Sequence, residues 1–230
     1  PDLAEGTASA NSWLLENTLN YSKKFGKHNL DLLAGYTSQK NTYTGFGATR
    51  DDLPVGTSVL DAGLATSQKN SGSANTSTLV SKFGRISYSY DSRYLFSASI
   101  RSDGSSRFAP GHQYGNFPSF SLGWNLHNEK FFQGIVNTVN TLKLRGSWGK
   151  LGNQEIGNYL TQNSINNGLN YVQGGVLWPG ATVSGYASPI DLSWEETKIT
   201  NIGMDAGFLD NKLFVIFDVF NKQTNGVLLS

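Results

Sequence analysis

Cysteine is absent from the 230 residues, so the sequence excludes disulfide frameworks, thiolate nucleophiles and cysteine-based zinc sites. Charged residues are also scarce, at 15% against about 25% in an average soluble domain. Lys and Arg number 18 against 17 Asp and Glu, which lacks the basic excess of a nucleic-acid binder. The longest apolar run, Leu213–Phe217, is far shorter than the roughly 20 residues of a transmembrane helix.

Several further signals are missing. The opening residues Pro1–Glu5 have neither a basic start nor an apolar stretch, so they do not resemble a signal peptide. We therefore expect the sequence to be that of a mature protein or of a fragment. No glycine-rich phosphate-binding motif follows a predicted strand and opens a helix. His28, His112 and His127 lie far apart without partners at metal-ligand spacing. The sequence therefore predicts no metal site and no cofactor.

Two residue groups invite a catalytic interpretation, and both have a simpler structural one. Ser105 and Ser106 follow Asp103 without an adjacent histidine, which is typical of a loop that hydrogen-bonds to its own backbone. Glu195 and Glu196 are neighbours in an extended segment and point to opposite faces, so they cannot flank one glycosidic bond. We therefore predict that the protein is not an enzyme.

Aromatic residues and alternating patterns are abundant. Phe, Tyr and Trp make up 12% of the chain, and apolar residues alternate with polar ones, which indicates two-faced strands. The clearest segments are 94–101, 117–126, 141–148 and 213–220, with weaker ones at 13–22, 30–37, 85–90 and 201–208. The pattern predicts an all-β fold of about eight strands in an antiparallel up-and-down meander. The best helix candidate is short, at 128–140.

The predicted connections alternate in length. Short ones lie at 25–28, 90–93 and 209–212, a somewhat longer link at 128–140, and long polar loops at 40–76, 103–115 and 150–190. This order is typical of an outer-membrane β-barrel, whose turns are short on the periplasmic side and whose loops are long outside. Aromatic residues near the short turns fit a membrane–water boundary: Tyr21, Phe25, Tyr88, Tyr90, Tyr94, Phe131, Phe132 and Phe208. A soluble carbohydrate-binding β-sandwich is the alternative, as is a small complete barrel or porin-like protein.

Ordered motifs begin at Arg101. The run Arg101–Phe108 (RSDGSSRF) is followed by YGNFPS at 114–119 and LGW at 122–124. Farther on come LKLRGSWG at 142–149, GNQEIG at 152–157, WEET at 194–197 and NIGM at 201–204. This set, over about residues 80–228, resembles the barrel domain of the SusC/RagA-like TonB-dependent transporters of the Bacteroidota outer membrane.

The resemblance implies a large barrel of about 22 strands around a plug, located in the outer membrane of a Gram-negative bacterium. Such transporters import oligosaccharides, peptides or similar large nutrients. A SusD-like surface lipoprotein closes over the barrel, and the TonB complex supplies energy through the plug region. The chain departs from the family pattern in having no plug-like region, no TonB box and no closing strand with a terminal aromatic residue. We therefore expect residues 1–230 to be one internal segment of a barrel domain.

The candidate site residues are polar or aromatic groups that could contact the plug or cargo. They are Arg101, Asp103, Arg107, Lys143, Arg145 and Trp178, with Tyr171 and Tyr186 as further aromatic candidates in the long loops. The alternation predicts which residues face outer-membrane lipid: Leu122, Trp124, Leu142, Leu144, Trp148, Val215 and Phe217. The opposite face should carry Ser119, Ser121, Lys143 and Arg145. Because eight strands cannot close so large a barrel, the strands near 13–24 and 211–222 should have free edges.

Overall fold

A computed structural model of the chain describes residues 1–162, 165–167, 169–183, 192–210 and 212–228. The strands in chain order are β1 (Leu3–Phe25), β2 (His28–Arg50), β3 (Lys69–Tyr90), β4 (Tyr94–Ser105), β5 (Tyr114–Asn125), β6 (Val139–Asn153), β7 (Ile165–Asn167), β8 (Tyr171–Gln173), β9 (Val176–Trp178), β10 (Ala181–Val183), β11 (Glu195–Phe208) and β12 (Leu213–Asn225). No helix among these residues is long and apolar enough to cross a membrane.

The main sheet confirms the predicted meander. Its eight strands follow the order β1-β2-β3-β4-β5-β6-β11-β12, so consecutive long strands are neighbours. The pairings of β4 with β5, β6 with β11 and β11 with β12 are antiparallel. Strands β1 and β12 stand at the two ends of this order, as an incomplete barrel wall requires. The short strands form two separate pairs, β7 with β10 and β8 with β9.

The predicted loop boundaries are wrong at several places. About half of the predicted loop at 40–76 is strand, because β2 continues to Arg50 and β3 begins at Lys69, which leaves 51–68 as the connection. Likewise β1 begins at Leu3 rather than near residue 13, and the loop between β4 and β5 covers only 106–113. These extensions are rich in Ser, Thr, Asn and Gly, so the apolar alternation stops while the backbone ladder continues.

The short helix predicted at 128–140 is also absent. This connection contains two 3₁₀ turns, Leu126–Asn128 and Lys130–Gly134, instead of an α-helix. Phe132 on the second turn is buried. The segment is too short to offset the cost of helix nucleation, so side-chain packing decides its conformation.

The short turns follow the twist of the strands that they join. Between β3 and β4, Asp91 and Ser92 both have positive φ, 53° and 55°, as in the type I′ turns that suit right-handed strand twist. Gly26 has φ 59° in the turn between β1 and β2. These conformations confirm the tight connections predicted at 25–28 and 90–93.

The chain divides into two compact units, and the first comprises Pro1–Leu15 and Ser38–Leu79. In it, Arg50 organises the connection from β2 to β3 by donating to the carbonyls of Asp61 and Gly63, at 3.4 and 3.2 Å. Leu53 is buried there, and its amide donates to the Pro1 carbonyl at 2.9 Å. Among strand residues, Ser12 Oγ donates to Asn41 Oδ1 at 2.6 Å.

The second unit comprises Glu16–Thr37 and Val80–Ser230, and the two faces of its sheet differ in chemistry. Trp124 lies opposite Leu144, and Leu144 lies opposite Met204, which lies opposite Phe217. One position along, Lys143 lies opposite Asp205. Since neighbouring residues in a strand point to opposite faces, the predicted separation of an apolar from a polar face is confirmed.

The apolar face is largely uncovered. Five residues on this face are each between 37% and 59% exposed: Leu122, Trp124, Leu144, Val215 and Phe217. Leu142 and Trp148, expected to be exposed as well, are half-buried. The carbonyl oxygen of Leu142 lies 3.0 Å from His127 Nδ1. The ring of Trp148 stacks on that of Phe120, with 5.6 Å between the ring centroids.

Candidate functional site: the polar face and its loop cluster

Serine residues cover the polar face of the second unit. Ser97 lies opposite Ser121, which lies opposite Ser147, and the hydroxyls of Ser99 and Ser119 are 2.8 Å apart. A cavity of about 500 Å³ opens on this part of the chain, and its lining includes Asp31, Ser87, Ser97, Ser121, Lys143 and Arg145. Hydroxyl groups both donate and accept hydrogen bonds, so this surface can bind water or polar groups of many kinds.

Arg145 joins three strands through two ion pairs. Its Nε donates to Asp205 on β11 at 2.9 Å, and its Nη2 donates to Asp218 on β12 at 2.7 Å. The guanidinium reaches β12 by crossing directly over Gly203, the residue opposite Arg145 in the register. A Cβ at Gly203 would lie 2.6 Å from Asp218 Oδ1 and 2.7 Å from Arg145 Cζ. Because Gly203 has no side chain, the guanidinium can lie over its Cα and reach Asp218.

We predict that Gly203→Ala in the full-length protein breaks the contact between Arg145 and Asp218. Both obstructed atoms are ends of flexible side chains, so the free energy of unfolding should fall by only about 0.5–1 kcal/mol. Gly146→Ala is the matched control, because a Cβ there meets nothing closer than the Asn201 carbonyl at 3.9 Å. Urea unfolding and a structure of each variant provide the measurement. An intact Arg145–Asp218 pair in Gly203→Ala would contradict the prediction.

Arg101 and Asp103 form a second ion pair, two residues apart on β4. Arg101 Nε lies 2.7 and 2.9 Å from the two carboxylate oxygens, and Nη2 donates to the fully buried Ser81 at 2.8 Å. The guanidinium also lies 5.6 Å from the ring centroid of Phe83. The structure thus brings these two candidates together and commits much of their hydrogen-bonding capacity to each other and to β3.

The remaining candidates have different surroundings. Lys143 lines the cavity with Arg145 and has no ion partner among the described residues. Arg107 lies in the loop after β4, where Nη1 donates to the Gln154 carbonyl at 3.2 Å. Trp178 lies opposite Tyr171 in the separate β8–β9 pair, and both rings are about half exposed. Tyr186 lies outside the described residues.

A buried cluster joins the β4–β5 loop to the segment that precedes β11. The ring of Trp194 lies 5.0 Å from that of Phe108 and 5.2 Å from that of Phe117, and its indole donates to the Gln113 carbonyl at 2.9 Å. Phe108, Phe117 and Trp194 are at most 7% exposed. The amide of Ala109 donates to the Leu192 carbonyl at 3.3 Å. Motifs that are distant in the sequence therefore meet here.

A second cluster holds the short turns together through Glu129. Its carboxylate accepts from the Tyr94 hydroxyl at 2.7 Å, the Trp124 indole at 3.1 Å and Arg93 at 3.3 Å. The hydrogen bonds from Tyr94 and then Trp124 lower the pKa of the Glu129 carboxyl below its usual range. The pKa of Asp91 is lowered as well, chiefly by the hydrogen bond from Lys27 at 2.9 Å.

A row of neighbouring aromatic rings, some stacked and some tilted or edge-on, runs beside these turns. Consecutive ring centroids are 4.9 to 6.5 Å apart, in the order Phe25, His28, Tyr90, Tyr94, Trp124 and Phe131. This row extends the aromatic group that the sequence predicted near the short turns. Sequence reasoning missed the role of Glu129, the passage over Gly203 and the ion pair to Asp218. Among these, only the position of Gly203 within an alternating strand gave a signal.

The model of the TonB dependent receptor-like β-barrel family matches residues 3–230. The chain belongs to this family. Its apolar and polar faces and its sequential strands are those of a TonB-dependent receptor barrel, and the eight strands form a segment of one. The predicted family resemblance and partial-barrel fold are confirmed.

Individual relatives agree with this assignment. The chain is 37% identical over 218 residues to TonB-dependent receptor P3 of Formosa agariphila, covering 94% of this chain and 21% of that protein. It is 34% identical over 216 residues to TonB-dependent receptor SusC of Bacteroides thetaiotaomicron, covering 92% and 21%. The RagAB peptide importer in its closed-closed state is similar in structure, with a TM-score of 0.87 and 29% identity over 96% of this chain and 24% of that chain. The chain thus spans about a fifth of the length of the curated relatives.

Proposed function

We propose that the chain is part of the wall of an outer-membrane transporter that imports oligosaccharides, peptides or similar large nutrients. The full protein would work with a SusD-like surface lipoprotein and would receive energy from the TonB complex. In this proposal the chain has no catalytic role. The observation that carries it is the two-faced sheet within a TonB-dependent receptor barrel, with exposed apolar side chains on one face and serines and ion pairs on the other.

Strand length and aromatic placement support a location in the membrane. Strands β4 and β5 have 12 residues each, close to the roughly 9–11 residues that cross a bilayer at a tilt. The row of rings from Phe25 to Phe131 lies at their short-turn end, where amphipathic rings fit the headgroup region. Strands β1–β3 have 22 or 23 residues, so their polar halves would extend beyond the bilayer.

The polar face supports a role in contacting the plug or the cargo. In a barrel with lipid outside, this face lines the lumen, and Lys143 is the candidate whose charge is left available by the described residues. Arg145, Arg101 and Asp103 would keep the wall rigid through their ion pairs while offering their remaining donors and acceptors. Arg107 lies on the loop side with Trp178, which suits contact with the lipoprotein or with incoming cargo.

Uptake by whole cells tests the proposal. Cells with the intact gene, cells without it and cells without TonB are each given fluorescently labelled pools of oligosaccharides and of peptides. We expect uptake of one pool to require both the gene and TonB, and affinity purification of the full-length protein from outer membranes to bring down one lipoprotein. TonB-independent uptake would contradict the proposal and favour the porin-like alternative. A detergent-free soluble protein would favour a soluble carbohydrate-binding module.

A further inference from the structure

The long connection between β6 and β11 carries no charged side chain over most of its length. Residues 156–190 contain no Asp, Glu, Lys, Arg or His, whereas seven of them are Asn or Gln. The connection between β2 and β3 differs, because it contains Asp51, Asp52 and Asp61. A ligand held by residues 156–190 would therefore meet neutral hydrogen-bonding groups and no charged ones.

Within this connection, β8 and β9 form a hairpin with a defined turn and base. Gly174 and Gly175 have φ 61° and 76°, as the two central residues of a type I′ turn require. At the base, a Cβ on Gly180 would overlap the carbonyl oxygen of Leu169, and the Gly180 amide donates to Asn170 Oδ1 at 3.4 Å. The backbone thus determines which side chains of β8 and β9 lie together.

One face of the hairpin carries two aromatic rings and an amide. Tyr171 lies opposite Trp178, and Gln173 lies opposite Val176, so these side chains share a face. The side chains of Tyr171 and Trp178 are 55% and 49% exposed, and Gln173, two residues along β8, is exposed as well. Tyr171, Gln173 and Trp178 form an aromatic platform that is open to solvent.

We propose that the aromatic platform binds a neutral oligosaccharide. This inference rests on the proposed function and deepens it, because it selects uncharged glycans among the possible cargoes. The C–H groups on one side of a sugar ring can pack against the faces of Tyr171 and Trp178. The sugar hydroxyls can donate to the Gln173 amide oxygen and accept from its nitrogen.

Charged ligands fit this platform less well than neutral ones. A peptide with free termini, a uronic acid or a sulfated glycan would lose hydration at its ionic groups and find no opposite charge on residues 156–190. A protein surface of average composition has about 25% charged residues, which would meet the same cost. A neutral glycan has no such groups, so we expect its affinity not to depend on salt.

A glycan array tests the chemical class of the ligand. The full-length protein in detergent is applied to immobilised neutral, uronate-containing and sulfated oligosaccharides and to peptides with free termini. We expect neutral oligosaccharides to bind. Their affinity should change by less than about twofold when salt is raised from about 50 to about 500 mM, because no ion pair is screened.

Variants of the hairpin test the binding face with the neutral glycan that binds best on the array. Trp178→Ala should weaken binding about tenfold, and Trp178→Phe should stay within about threefold of the wild type because it keeps a ring. The matched control is Leu177→Ala, which truncates a side chain that is 61% exposed on the other face of the hairpin. This control should bind as the wild type does.

The outcomes distinguish this inference from the proposed function. Binding confined to charged ligands, or no binding of neutral glycans, would overturn the inference and leave a TonB-dependent transporter. Unchanged glycan binding in Trp178→Ala, or an equal loss in Leu177→Ala, would also overturn it. If Trp178→Ala does not fold, Tyr171→Ala carries the same expectation.

Two further results concern the partners of the protein. If Trp178→Ala no longer brings down the lipoprotein while glycan binding is intact, the platform binds a protein and the inference is wrong. If no labelled pool is taken up in a TonB-dependent way, the proposed function itself fails.

Discussion

Trp194→Ala is expected to lower the free energy of unfolding of the region around the β4–β5 loop by about 3–5 kcal/mol, which is the usual cost of truncating a buried aromatic side chain. The indole is 7% exposed and contacts the rings of Phe108 and Phe117. Its loss would open a cavity between these rings and leave the Gln113 carbonyl with only one of its two donors, the Ser105 amide. Hydrogen exchange of the full-length protein measures the effect, because the amides of Ser105 and Ala109 are bonded to carbonyls at this cluster, those of Gln113 and Leu192.

Trp178→Ala is the matched control for this prediction. It removes the same side chain from the same long connection between β6 and β11, where the ring is 49% exposed. Its effect on unfolding should stay within about 0.5 kcal/mol, as for most surface substitutions. The loss of stability in Trp194→Phe should lie between those of Trp194→Ala and Trp178→Ala, because phenylalanine keeps a ring but cannot donate the hydrogen bond to Gln113. Equal protection of Ser105 and Ala109 in Trp194→Ala and Trp178→Ala would show that the cluster does not hold the loop.

The strands that were predicted best are those that carry both faces of a membrane wall. In β5 and β6, Leu122, Trp124 and Leu144 alternate with Ser121 and Lys143, because one side needs apolar groups and the other needs polar ones. The upper part of β2, 40–50, has one aromatic residue on each face, Tyr43 and Phe46, and its other residues are polar, charged or small. With so few apolar side chains on either face, no alternating pattern marks this part of the strand, and pairing of its backbone with neighbouring strands defines it.

The ion pairs were harder to predict than the strands. Arg145 and Lys143 share a face by simple alternation, which is visible in the sequence. That Arg145 contacts Asp218, 73 residues away, depends on the register of β6 with β11 and of β11 with β12. A slip of one residue in either register would turn one partner to the opposite face. The sequence could therefore propose a polar face but could not assign its pairs.

The Glu129 cluster escaped prediction for a related reason. Its donors come from the start of β4, the end of β5 and the turn at Arg93, so the site exists only after three elements meet. A lone glutamate after an aromatic strand is usually a solvated turn residue, and the sequence offers no sign that Tyr94 and Trp124 converge on it. When Tyr94 and Trp124 donate to Glu129, their rings join the aromatic row and their polar atoms have a hydrogen-bond partner. Amphipathic side chains at the edge of an apolar face commonly combine these two contacts.

Leu144→Arg is expected to lower the stability of the full-length barrel in phospholipid vesicles by about 2–4 kcal/mol, if this residue lies near the middle of the bilayer. Leu144 is 41% exposed on the apolar face, between Trp124 and Met204 in the register. The residues opposite this position in the described register, Trp124 and Met204, offer a guanidinium no carboxylate, so it would need to draw water or headgroups into the hydrocarbon region. Urea midpoints and heat-modifiable migration in gels measure the change.

The neighbouring substitution Lys143→Leu supplies the control, because it reverses the chemistry of the adjacent position on the other face. Lys143 lines the cavity beside Arg145 and has no ion partner among the described residues, so its replacement should change the urea midpoint far less than Leu144→Arg. The pair of variants therefore distinguishes the two faces of a single strand. A larger loss in Lys143→Leu than in Leu144→Arg would reverse the assignment and place lipid on the serine-rich face. That result would also remove the basis for a polar lumen lined by Lys143 and Arg145.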